Sequence, residues 1–124
     1  MPVVLCIDDD LSGLALRKLL LETKGYVVLT ATNGQAGIEL ARRVSLDAVV
    51  LDFQMPHMDG EQVARVLRLD RPTLPIILLS GSGEVPDPLL SMVSEYLQKG
   101  SPDLLECLDR VLQRFTRPDL GRAA

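Results

Sequence analysis

The stretch Ala48-Val49-Val50-Leu51-Asp52, continuing as Phe53-Gln54-Met55-Pro56-His57-Met58-Asp59-Gly60, decides how this chain is read. Its first four residues are apolar without alternation, and the run stops on a carboxylate. A strand with one wet face alternates apolar and polar residues, whereas an unbroken apolar run fits a strand buried on both faces. The same form recurs at Val3 to Ile7, which ends in Asp8-Asp9-Asp10, and at Ile76 to Leu79, which ends in Ser80-Gly81-Ser82-Gly83. Tyr26 to Ala31 and Glu95 to Gln98 complete a set of five expected strands.

Helical patterns separate these runs. Leu11 to Thr23 is a helix with Asp9 or Asp10 as N-cap and Lys24-Gly25 as its stop signal. Gln35 to Val44 follows the punctuation Asn33-Gly34, and Glu61 to Leu69 follows the turn Asp59-Gly60. Ser101-Pro102-Asp103 places an N-cap and a proline at the first helical position, predicting a helix from Pro102 to about Phe115. Pro86 and Pro88 leave room for at most a short helix before the fifth strand, roughly Leu89 to Val93. A β-α unit repeated five times, with strands buried on both faces, predicts an α/β doubly wound sandwich: a parallel sheet with helices on both sides. Residues 1–116 make one domain, and 117–124 a polar tail expected to fray.

Composition narrows the function. The chain has 124 residues, 47% hydrophobic and 24% charged, enough for one aliphatic core without metal or disulfide staples. Aromatic residues are only 3%, which argues against a base-stacking RNA or single-strand binder. Thirteen Lys and Arg against seventeen Asp and Glu give a net charge of −4. That balance predicts no direct nucleic-acid binding and no anionic-membrane binding, and favours a cation or a basic partner surface. Cys6 and Cys107 are far apart and the single histidine is His57, so a zinc site is not expected. Two cysteines in apolar stretches read as buried, reduced thiols, which fits a cytoplasmic protein. No apolar run approaches the length of a membrane span.

In a doubly wound sheet, ligands collect outside the carboxyl ends of the strands. The residues there are Asp8 and Asp9, Asp52, Ser80 and Lys99. No glycine-rich phosphate loop follows the first strand, which sets dinucleotide binding aside. Clustered carboxylates repel one another unless a cation joins them, and Mg²⁺ suits oxygen ligands and retained waters. An aspartate can act as nucleophile to form an acyl phosphate, with a metal and a lysine neutralising the phosphoryl oxygens and Ser80 donating a hydrogen bond. Blander readings attach to other residues. Asp10 reads as a helix cap, Asp59-Gly60 as a turn and helix start, Met55-Pro56 as loop shaping, and His57 as a surface histidine.

Four segments now carry a resemblance: Val4-Leu5-Cys6-Ile7-Asp8-Asp9-Asp10, Val49 to Gly60, Pro75-Ile76-Ile77-Leu78-Leu79-Ser80-Gly81, and Tyr96-Leu97-Gln98-Lys99. Together they make residues 3 to about 115 resemble the receiver domain of two-component response regulators, a family with stand-alone chemotaxis-type members. The resemblance implies a flavodoxin-like sheet of strand order 2-1-3-4-5. It implies that Asp52 is the phosphoacceptor, with Lys99 and Ser80 assisting. Asp9, Asp52 and the backbone carbonyl of Gln54 would hold Mg²⁺ directly, and Asp8 would act through water. Ser80 and Tyr96 would form the switch. The implied phosphodonor is a sensor histidine kinase or phosphotransfer protein, and the output is an unnamed protein; a homodimer is compatible. The domain would be a signalling domain rather than an enzyme, catalysing only its own phosphorylation and slow dephosphorylation.

Two departures from the family pattern stand out. Gly100 follows Lys99 where proline is usual, and the Ser80–Lys99 stretch is short, with two prolines where the fourth helix should begin. The expectation is a short or irregular fourth helix. A degenerate receiver, acting as a constitutive interaction or dimerisation module, is the alternative these departures motivate. A dehalogenase-type hydrolase wants an Asp-x-Asp motif, which Asp52-Phe53-Gln54 does not offer.

Overall fold

A computed structural model describes residues 1–55, 58–81 and 85–115, the side chain of Phe115 excepted. His57 and the tail 117–124 therefore lie outside the described residues. Strands and helices alternate: β1 (Val3–Ile7), α1 (Leu11–Glu22), β2 (Val27–Ala31), α2 (Gly34–Arg43), β3 (Ala48–Asp52), α3 (Gly60–Asp70), β4 (Ile76–Ser80), α4 (Asp87–Leu90), β5 (Glu95–Gln98) and α5 (Leu104–Phe115). All pairings are parallel and the order is β2-β1-β3-β4-β5. This is the doubly wound, flavodoxin-like sandwich expected from the sequence.

The apolar strands explain the layers. Leu5 and Ile7, Val49 and Leu51, and Ile76 and Leu78 point to one face, where Ile38 of α2, Val63 and Leu67 of α3, and Leu89 of α4 cover them. Val4 and Cys6, Val50, and Ile77 and Leu79 point to the other, beneath Leu14 and Leu21 of α1 and Leu108 and Val111 of α5. Two dry faces need apolar residues at both parities, hence no alternation. Cys6 and Cys107 are buried free thiols. Burial pushes the Cys6 thiol up to about 12, so it packs rather than reacts. Among the described residues no helix is long and apolar enough to cross a membrane.

Several boundaries differ from expectation for identifiable reasons. Asp10 occupies the N-cap position of α1 but makes no side-chain cap hydrogen bond. Its backbone N–H donates to Oδ1 of Asp8 at 2.9 Å. The expected start of the last helix at Pro102 moves to Leu104. There the Ser101 hydroxyl accepts from the Asp103 N–H at 3.2 Å, closing a turn, and the carbonyl of Asp103 takes the N–H of Cys107. Asp59 does start α3, through a reciprocal capping box with Gln62.

The fourth helix is short, as expected, but sits earlier than Leu89 to Val93. Pro88 lies in its first turn, where a missing N–H costs nothing. Beyond the helix the Arg68 guanidinium takes the Met92 carbonyl, through Nη2 at 2.7 Å and Nε at 3.0 Å. Nη1 of Arg68 also donates to the carbonyls of Leu74 and Pro72, at 2.7 and 2.9 Å. One side chain thus fastens the irregular stretch before β5 to the end of α3.

Candidate functional site

The carboxyl ends of β1, β3, β4 and β5 bring the chemistry-bearing residues to one edge. Asp8 leaves β1, and its N–H is held by the carbonyl of Ala31 on β2. Asp52 closes β3, and the N–H of the next residue, Phe53, is held by Leu79 on β4. Ser80 closes β4 and pairs in register with Gln98. The N–H of Lys99 donates to the Ser80 carbonyl at 2.8 Å, so β4 sets where the lysine departs. Asp8, Asp52 and Ser80 are the only buried polar or charged residues among those described.

Asp8, Asp9 and Asp52 each bring a carboxylate oxygen within 4.8 Å of the others. Asp9 is exposed, while Asp8 and Asp52 are buried, so the cluster opens to water on one side only. Nζ of Lys99 lies 3.1 Å from Oδ2 of Asp8 and 3.5 Å from Oδ2 of Asp52. On its other side Asp8 receives Nη2 of Arg17, from α1, at 2.9 Å. Three carboxylates therefore face two cations. An oxygen-only donor set with surplus negative charge and one wet side fits Mg²⁺, which binds through a few carboxylates and keeps waters. Gln54 is exposed on the loop after β3, beside this cluster in sequence.

The charges at the site are strongly unequal. Burial, and then the negative charge of Asp8, push the Asp52 carboxyl up to about 6 despite the opposing pull of Lys99. Burial alone would raise Asp8 too, but the Asp10 N–H, Lys99 and Arg17 outweigh it and hold Asp8 below the ordinary carboxylate range. Burial works against the charge of Lys99, yet the two carboxylates win and raise it. The apo site thus holds one firmly ionised buried carboxylate and one reluctant one.

Gly100 adopts φ +87°, a conformation closed to proline, whose ring fixes φ near −65°. Replacing the usual proline by glycine therefore changes the backbone path as well as its stiffness. Tyr96 lies on β5, half-buried against the core face shared with α3 and α4.

Arg17 is a site residue that the sequence pattern alone did not single out. A signal was present: Leu14 and Leu21 are the buried residues of α1, and Arg17 stands three and four positions from them, on the buried stripe. A cation on such a stripe calls for a buried anion. Beside it, a groove of about 340 Å³ runs between α1 and the β5–α5 connection, lined by Leu16, Leu20, Leu104, Leu105, Arg17 and Lys99 among others. Leu16, Leu19 and Leu20, with Leu11, are the exposed large apolar residues of α1.

Residues 4–107 match the sequence model of the response regulator receiver domain. The transcriptional regulatory protein GlrR of Escherichia coli is 37% identical over 84 residues, 68% of this chain but 19% of GlrR. This chain thus spans about a fifth of that relative. The response regulator TrrA of Thermotoga maritima, solved in complex with Mg²⁺ and BeF, superposes with a TM-score of 0.85 at 29% identity. The match covers 90% of this chain and 99% of TrrA. A structure of TrrA with the histidine kinase ThkA gives a TM-score of 0.83 at 31% identity, over 90% of this chain and 99% of that one.

Proposed function

Because this chain belongs to the response regulator receiver family of two-component signalling, we propose that it accepts a phosphoryl group on Asp52 from a phosphohistidine and so switches a protein-interaction surface. The observation that carries the proposal is the Asp8–Asp9–Asp52 cluster with Lys99 reaching both buried carboxylates. Asp9 and Asp52, with the Gln54 carbonyl, would hold Mg²⁺, and Asp8 would act through water. When bound, Mg²⁺ supplies positive charge that offsets phosphoryl oxygens and keeps Asp52 ionised.

The remaining work falls to side chains. An oxygen of ionised Asp52 attacks phosphorus; the new O–P bond forms as the N–P bond of the phosphohistidine breaks, leaving the imidazole with the electron pair. Lys99 turns from Asp8 toward the phosphoryl oxygens that now sit on Asp52. Ser80, at the end of β4, donates its hydroxyl to the same group, and Tyr96 follows on β5 as the aromatic partner of the switch. Leu16, Leu19 and Leu20 on α1 offer the phosphodonor an apolar docking patch next to the site; the TrrA–ThkA complex is a precedent for such a pairing.

Incubating the protein with Mg²⁺ and acetyl phosphate should add one phosphoryl mass, and Asp52→Asn should remove that adduct. Wild type that takes up neither phosphoryl nor beryllofluoride, or an adduct that survives Asp52→Asn, overturns the proposal. The four-residue α4 and Gly100 favour a second reading, a constitutive interaction module. That reading expects no rise in thermal stability on adding Mg²⁺.

A further inference from the structure

Asp8 already has a cation at its side before any metal arrives. Arg17 reaches it from α1, with Nη2 2.9 Å from Oδ2, and the Arg17 side chain is only 11% exposed. Its Nη1 is buried and has no hydrogen-bond partner among the described residues. Water therefore does little to damp this charge, and among the described residues Asp8 is the carboxylate in direct ion-pair contact with it. Gly13 leaves room for this approach: a Cβ there would stand 3.3 Å from Arg17 Nη2, and the guanidinium would have to give by a few tenths of an ångström. The Asp10 N–H and Lys99 hold the rest of the Asp8 carboxylate.

We propose that Arg17 is a resident counter-cation that competes with Mg²⁺ for the charge of Asp8, setting the metal affinity of the site below what Asp8, Asp9 and Asp52 would give alone. This inference rests on the metal reading of the cluster. Arg17 is a positioning residue: it fixes Asp8 from the helix side and acts on the metal only through that carboxylate. By sharing Asp8 it also leaves Lys99 freer to turn to Asp52. Two cations sharing one carboxylate in a partly dry site weaken each other's hold on it by about an order of magnitude.

Calorimetric Mg²⁺ titration of the full chain tests this. Arg17→Met should bind Mg²⁺ about tenfold more tightly than wild type, and Arg17→Gln should shift in the same direction. In an Asp8→Asn background the effect of Arg17→Met should largely vanish, because the route runs through Asp8. In acetyl phosphate assays the Mg²⁺ concentration for half-maximal rate should fall. Circular dichroism in EDTA verifies that each variant is folded, and Arg17→Gln stands in if the methionine variant is not. Unchanged or weaker Mg²⁺ binding in both Arg17 variants overturns the proposal. So does tightening that persists undiminished with Asp8→Asn. Wild type that binds no Mg²⁺ overturns the metal reading itself, and is distinguished by that result from a failure of Arg17 alone.

Discussion

Nζ of Lys99 stands 3.5 Å from Oδ2 of Asp52, and slightly nearer, at 3.1 Å, to Oδ2 of Asp8. The lysine is therefore parked between a carboxylate that gives up its proton readily and one that holds its proton up to about pH 6. Added charge on Asp52 would shift that balance toward β3 without moving the backbone. Two neighbouring strand ends and one lysine form a preset electrostatic arrangement.

Lys99→Met should leave the fold intact and slow phosphorylation by acetyl phosphate by on the order of 10²-fold, the usual effect of deleting one preplaced charge at a reacting centre. Mass spectrometry of the adduct against time measures it. A variant that phosphorylates at the wild-type rate would remove Lys99 from the proposed chemistry.

The metal-free protein should be more stable toward mildly acidic pH. The Asp52 carboxyl stands at about 6 when folded, against an ordinary 3.8. Its stabilisation by proton uptake is complete below about 3.8 and is lost as pH rises through about 6. Asp8 has the opposite sign: its depressed value gives stability present above its ordinary 3.8 and lost as pH falls below that. Between these limits Asp52 dominates the pair. Urea unfolding followed by circular dichroism in EDTA should show Asp52→Asn more stable than wild type at pH 7, by roughly 1–3 kcal/mol. The gap should close by about pH 4; a gap independent of pH would refute the assignment.

Leu16→Asp with Leu20→Asp should separate the phosphodonor from the chemistry. Both leucines are exposed on α1 and line the groove beside the site, so the fold loses little. Transfer from a cognate histidine phosphodonor should fall at least tenfold, an estimate that takes the pair as central docking contacts. Labelling by acetyl phosphate should hold. Equal losses with both donors would show that the substitutions damage the site.

Gly100→Pro, which copies the residue usual in the family, should not improve this protein. The backbone at φ +87° is inaccessible to proline, so the substitution must redirect the connection that carries Lys99. A loss of about 2 kcal/mol in stability, with slower phosphorylation, is expected. A faster or more stable variant would mean that the glycine conformation has no role.

The layers were legible because Val49, Val50 and Leu51 leave no room for a wet face, and the charged strand ends because those runs stop so sharply. Asp59-Gly60 announced its helix start as a turn before the apolar-periodic run. Local pattern failed where a distant group decided the outcome. Leu89 to Val93 looks like a helix, but the turn runs over Asp87–Leu90, and beyond it Arg68 of α3 holds the Met92 carbonyl. Arg17 reads as one more basic residue until α1 is laid against β1. In each case the competing partner lies elsewhere in the fold or is chosen by geometry that spacing does not encode.

The single turn of α4 has a mechanical consequence. Four residues span about 6 Å along a helix axis, too short to act as a lever that slides as a rigid rod over the sheet. Its hold consists of a few bonds, among them Leu90 N–H to Pro86 and Ser91 N–H to Asp87, with Leu89 as its anchor. Such a piece is easier to unwind and rewind than to push. A signal reaching this side of the molecule would be written as local melting and reforming, and a partner would grip a segment that sets in its final shape under the partner's own contacts.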